Sequence, residues 1–114
     1  MTDILANQAN HDGVTILGGE PFDQPEGVAE LIMRLKENSL HITVYTGYTL
    51  EILVSKNDEQ ISQILNMTDL LVDGPFVREL STDAGEYRGS SNQRLIYQPY
   101  LAMKDLQSHL KHSR

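Results

Sequence analysis

Apolar and polar positions alternate along the chain in two different periods, and the switches between them mark out the elements. Val14 to Leu17 is a short aliphatic and β-branched run that suits a strand buried on both faces. Pro25 fits the first position of a helix, where its missing N–H costs nothing. Val28, Leu31, Ile32 and Leu35 then recur at helical spacing and predict an amphipathic helix from Pro25 to about Glu37. Ile42 to Thr46 predicts the next strand, ended by Gly47. A short helix over Thr49 to Val54 follows, with the Thr49 hydroxyl as N-cap. Asn57 or Asp58 caps a further helix carrying Ile61, Ile64 and Leu65 on one side and ending near Asn66. Leu70 to Val72 is a third strand, closed by Asp73-Gly74-Pro75.

Beyond that point Ser81 to Gln93 is rich in Ser, Gly, Asp and Asn and predicts a long loop. Arg94 to Tyr97 predicts a fourth strand at a sheet edge. Leu101 to Leu110 predicts a terminal helix with Met103, Leu106 and Leu110 inward. At the other end, Asp3 to Asn10 is expected to be the last turns of a helix, with His11-Asp12-Gly13 as its exit turn. Strand alternating with helix implies parallel pairing through right-handed crossovers. The expected fold class is therefore α/β: a parallel sheet of about four strands with flanking helices, in three layers or partly wound.

Composition narrows the picture. A chain of 114 residues holds one domain, here spanning 1–114. A net charge of −7 speaks against nucleic acid as a partner, because its phosphates would be repelled. No apolar run approaches the roughly 20 residues that span a bilayer, so no membrane partner is expected. The start Met1-Thr2-Asp3-Ile4 lacks the basic and apolar regions of a secretory signal, and with no cysteine there are no disulfides. A cytoplasmic location is the expectation. His109 and His112 sit at a metal-compatible helical spacing but have no third ligand, and His11 and His41 carry no partner signal. No Ser-His-Asp arrangement or phosphate-binding glycine loop is present.

The richest run is Val-Thr-Ile-Leu-Gly-Gly-Glu-Pro-Phe-Asp-Gln, residues 14–24. A strand ends in a Gly-Gly turn whose lack of Cβ atoms lets a ligand approach closely. Open α/β sheets bind ligands just beyond the carboxyl ends of their strands, where this turn would sit. A strand-to-helix turn that merely needs glycine would look the same.

That run resembles the Gly-Gly-Glu-Pro motif of radical S-adenosylmethionine enzymes, and three later segments follow in the same order. They are Thr46-Gly47-Tyr48-Thr49-Leu50-Glu51, Leu70-Leu71-Val72-Asp73-Gly74-Pro75-Phe76 and Arg88-Gly89-Ser90-Ser91-Asn92-Gln93-Arg94. Together they resemble the activating proteins of glycyl-radical enzymes, most nearly the activase of anaerobic ribonucleoside-triphosphate reductase. The resemblance runs from about Asp12 to Ile96. It implies a (β/α) barrel, S-adenosylmethionine and a [4Fe–4S] cluster as cofactors, and a glycyl-radical enzyme, such as anaerobic ribonucleotide reductase, as partner. In that family a reduced cluster cleaves S-adenosylmethionine, and the resulting radical takes hydrogen from a glycine of the partner.

The resemblance also assigns site residues. Gly18, Gly19, Glu20 and Pro21 would meet the methionyl end of the ligand, with Glu20 and the turn carbonyls accepting from its amino group. Thr46 and Gly47 would meet the ribose or carboxylate from the same rim, while Tyr48 would stack on adenine or pack. Asp73 would point its carboxylate into the crevice, or serve only as a turn aspartate. Arg88, Ser90, Ser91 and Asn92 would serve the ligand or the partner enzyme, with Arg88 able to pair a carboxylate bidentately.

One departure is large. The family holds its cluster on three cysteines spaced C-x-x-x-C-x-x-C upstream of the Gly-Gly-Glu-Pro strand, and this sequence has no cysteine. The expectation is a carboxyl-terminal portion of a radical S-adenosylmethionine domain, lacking the cluster-binding segment and the first barrel strand, and inactive alone. The alternative is a cluster-free module that binds the nucleoside or the partner without catalysis. A missing first strand would leave Val14–Leu17 with a free edge, through which a homodimer is expected.

Overall fold

The computed structural model describes residues 4–10, 13–82, 84–85 and 88–112. Its strands are β1 (Ile4–Asn10), β2 (Gly13–Gly18), β3 (His41–Tyr45), β4 (Leu70–Asp73) and β5 (Arg94–Tyr97). Its helices are α1 (Pro25–Lys36), α2 (Leu50–Ser55), α3 (Glu59–Met67) and α4 (Pro99–His112). Short 3-10 turns occupy Pro21–Asp23 and Arg78–Leu80. The five strands lie side by side in chain order. Pairing is parallel between β2, β3 and β4 and antiparallel at both margins.

The α/β class and all four expected strands are present, but the sheet is mixed and has a fifth strand. The segment Ile4–Asn10, expected as a helix end, is a strand paired antiparallel with β2, Leu5 opposite Leu17 and Asn7 opposite Thr15. The free edge expected on Val14–Leu17 is therefore closed by the chain itself, and the ground for a homodimer through it is gone. The proposed exit turn at His11-Asp12 lies outside the described residues.

The order β2, β3, β4 advances across the sheet without reversing, so each right-handed crossover deposits its helices on the same side. One core results, not the two of a three-layer sandwich. Val14, Ile16, Ile42, Val44 and Leu71 supply its sheet side. Val28, Ile32, Leu53, Ile61, Ile64, Leu65 and Met103 supply its helix side. Leu70 and Val72 alternate onto the other face and are buried apart from that cluster, as is Ala84 of the 81–93 loop.

The expected caps form. The Thr49 hydroxyl accepts from Ile52 N (3.3 Å) ahead of α2, and Asp58 Oδ1 accepts from Gln60 N and Ile61 N (2.8 and 3.1 Å) ahead of α3. Asp58→Ala leaves both amides without that acceptor and is expected to cost about 1 kcal/mol in urea unfolding. The last helix starts at Pro99, two residues before the apolar pattern begins, because proline is preorganised for the first helical turn.

Candidate functional site

The carboxyl ends of β2, β3 and β4, with the loop entering β5, surround a crevice of about 380 Å³. Each of the four motif segments contributes to its lining. Leu17, Glu20 and Pro21 come from the first, and Thr46 and Gly47, with Tyr45 just before them, from the second. Gly74 and Phe76 come from the third, and Gly89 and Gln93 from the fourth. Segments distant in sequence thus converge because parallel strands place their following turns on one rim. A second hollow, between α1 and α3, is lined by Glu26, Glu30, Met33 and neighbours and involves none of the motifs.

Hydrogen bonds lace the rim turns together. Glu20 Oε1 accepts from Gly47 N (2.7 Å), and Oε2 accepts from Thr46 Oγ1 (2.7 Å) and Phe22 N (3.1 Å). The Thr46 hydroxyl accepts in turn from Tyr48 N (3.1 Å), and Tyr48 O accepts from Gly74 N (2.8 Å). Gly74 O accepts from Gln93 Nε2 (2.9 Å), whose Oε1 accepts from Gly89 N (2.7 Å) and Ser90 N (3.2 Å). This chain of bonds runs unbroken from the first motif to the fourth. The Glu20 carboxylate, expected to accept from a ligand's amino group, already has three protein donors and braces the β2 turn against the β3 turn.

The remaining candidates take up places around the crevice. Gly18 ends β2 and Gly19 follows it into the rim. Asp73, expected to face the crevice, is fully buried and points elsewhere. Its Oδ2 accepts from Leu50 N (2.7 Å) at the start of α2, and its two oxygens take a fork from Arg94 Nε and Nη2. Strand alternation sets this direction, since Asp73 shares the helix-covered face with Leu71. Arg94 also holds Glu51 through Nη1 and Nη2 (3.2 and 2.7 Å). Hydrogen bonds to Asp73 and Glu51 hold the Arg94 guanidinium well above its ordinary value, and the Arg94 bond lowers the Glu51 carboxyl.

Arg88 is spent on the loop. Nε donates to Ala84 O (2.8 Å), and Nη1 donates to Ser91 O and Gln93 O (3.1 and 3.2 Å). Buried Ser90 Oγ donates to Asn92 Oδ1 and accepts from Val77 N, while Asn92 Nδ2 donates to Pro75 O (2.8 Å). Ser91 N donates to Leu80 O (2.8 Å). Tyr48 packs outside the crevice: its hydroxyl donates to Asp23, a bond that raises its pKa, and Lys56 Nζ lies 4.8 Å from its ring centre. Sequence reasoning quoted Phe76, Gln93 and Arg94 within its motif segments but gave none of them a role of its own, and it passed over Tyr45. A buried Asp73 needs a cationic partner, and that requirement was the one available signal for Arg94.

An α/β sheet wound in one direction, with a glycine-lined crevice past its parallel strand ends, defines a protein of the open-sheet α/β class. Residues 1–96 match the model of the 4Fe-4S single cluster domain, and the chain belongs to that family. It is 33% identical to the anaerobic ribonucleoside-triphosphate reductase-activating protein of Salmonella typhi over 82% of this chain and 60% of the relative. The same figures hold for the protein of that description from Escherichia coli (strain K12). For the one from Pasteurella multocida (strain Pm70) they are 34%, 85% and 62%. The chain thus spans about 60% of the length of these relatives. No solved structure matches.

The family description names a [4Fe–4S] cluster, and the donors present do not fit one. Such clusters are held by thiolates, and the sequence has no cysteine. Among the described residues no group of three or more His, Asp or Glu could hold a metal ion either. No helix of the described residues is long and apolar enough to cross a membrane.

Proposed function

We propose that this chain carries the S-adenosylmethionine-binding rim of an activase-type radical S-adenosylmethionine protein, built on part of its (β/α) barrel, without the means to hold a cluster. The single observation behind this reading is the convergence of all four motif segments on one crevice, in a chain that belongs to the cluster-domain family. The one-directional winding of β2, β3 and β4, with helices on one face, supports the barrel-segment part of this reading. Gly18 and Gly19 admit the ligand's methionyl end, Thr46 and Gly47 flank its ribose, and the 88–92 loop shapes the far wall. The partner is a glycyl-radical enzyme of the anaerobic ribonucleotide reductase kind, met through the rim. Acting alone, the chain binds and does not catalyse, since nothing in it delivers the electron that cleavage needs.

Calorimetry with S-adenosylmethionine tests the reading. Binding is expected for the wild type and its loss for Gly47→Val, whose added methyls would enter the crevice beside Glu20 Oε1, 3.4 Å from a Cβ at that position. Equal heats from the two proteins would remove the site. Anaerobic reconstitution with iron and sulfide is expected to leave the protein colourless and without 5′-deoxyadenosine production.

A further inference from the structure

We propose that Gln93 is the positioning residue that sets the far wall of the rim crevice, an inference resting on the ligand-binding reading above. Its side chain is buried, with 6% of its surface exposed, yet it lies against the crevice. The amide joins two turns: Nε2 donates to Gly74 O, 19 positions back in the chain, while both Oε1 bonds go to Gly89 N and Ser90 N. The two lone pairs of Oε1 are thereby used, so Gln93 offers a ligand no acceptor at that oxygen. It acts through what it holds.

What it holds is the aromatic side of the crevice. Gly74 adopts φ +106°, a left-handed turn that swings Pro75 and Phe76 back over the 88–93 loop. The Phe76 ring lies so close to Gly89 that a Cβ there would come within 3.1 Å of Cδ1. Phe76 is 60% exposed, so its ring is not held by core packing. Its position depends on the spacing of the Gly74 and Gly89 turns, which the Gln93 amide fixes together with the bonds from Asn92 to Pro75 and from Val77 to Ser90 on either side of Phe76. Polar lining side chains are similarly committed at the near wall, where Glu20 and Thr46 bond each other and the backbone. The ligand is therefore recognised by rim main-chain groups and by the apolar surfaces of Leu17, Pro21 and Phe76, at a gap that Glu20 and Gln93 set.

The test compares the full chain with Gln93→Leu, which loses both ties, and Gln93→Glu, which keeps acceptors for Gly89 and Ser90 but sets a carboxylate against Gly74 O. Asp58→Ala serves as a control of reduced stability remote from the rim. Amide exchange at Gly89 and Ser90 is expected to be slow in the wild type and Gln93→Glu, and at least about tenfold faster in Gln93→Leu, with β3 and β4 amides unchanged. Affinity for S-adenosylmethionine is expected to fall about tenfold or more in both Gln93 variants and to hold in Asp58→Ala. Gly89 exchange as fast in the wild type as in Gln93→Leu overturns the inference, as does wild-type affinity in folded Gln93→Leu. Absence of wild-type binding would overturn the ligand reading alone, leaving the exchange result to decide whether Gln93 holds the wall.

Discussion

Arg94→Ala is expected to lower the unfolding free energy by about 3–5 kcal/mol, a large share of the roughly 5–15 kcal/mol of a small domain. The Asp73 side chain is 1% exposed, and the guanidinium fork supplies its compensating charge. Without Arg94 a buried carboxylate keeps only the Leu50 amide as donor. The outer half of the bridge contributes little, because the Glu51 side chain is 54% exposed and solvent screens it. Its pKa is depressed in the folded state, so its contribution is present above the unfolded carboxyl value and fades as pH falls through the folded one. Urea unfolding at neutral pH reads the main effect. The double variant Asp73→Ala with Arg94→Ala is expected to be less destabilised than the two single losses summed, since no lone charge remains. A cost below about 1 kcal/mol for Arg94→Ala would refute the buried-pair account.

Glu20→Ala is expected to have the largest effect on the crevice. It removes the acceptor shared by Phe22 N, Thr46 Oγ1 and Gly47 N, and frees the β2 turn from the β3 turn. Hydrogen bonds to a charged group are worth about 1.5–3 kcal/mol each, against which water repays the exposed Gly47 amide but not the buried Phe22 and Thr46. A stability loss of about 1–3 kcal/mol and a drop of about 10- to 100-fold in S-adenosylmethionine affinity are expected, by thermal unfolding and calorimetry. Glu20→Gln retains one oxygen but turns an NH2 toward a donor, so it should fall between the two. If Glu20→Ala binds as the wild type does, the brace has no bearing on recognition.

The central elements were legible because each carries its own local signal. Val14–Leu17 is a short aliphatic and β-branched run between glycines, Leu70–Val72 is an aliphatic run closed by Asp73-Gly74-Pro75, and Thr49 and Asp58 are capping residues placed ahead of apolar repeats. Ile4–Asn10 was not legible. Its Leu, Ala and Gln residues favour a helix in isolation, and only the open edge of β2, formed elsewhere, selects the extended form. Around the crevice, the convergence of the motif segments could be read and the bonding partners of their side chains could not. Glu20, Asp73 and Arg88 look like ligand groups because they are charged and sit at motif positions. Their partners lie 27, 21 and 4 positions away, at Gly47, Arg94 and Ala84, and such pairings are settled by the fold. Gln93 stood inside the fourth motif without a role of its own, since an amide announces itself only by what it bridges.

A crevice whose Glu20, Thr46 and Gln93 side chains are bonded inward would offer a guest peptide groups, which every amino acid possesses, beside the apolar surfaces of Leu17, Pro21 and Phe76. Mutation can tighten or slacken such a receptacle but cannot delete its donors and acceptors one at a time. Change in this molecule should therefore act on fit before it acts on chemistry. If the proposed ligand binds here, variants that drift in the clasps at either end would first weaken that binding uniformly, with no switch of preference toward another ligand.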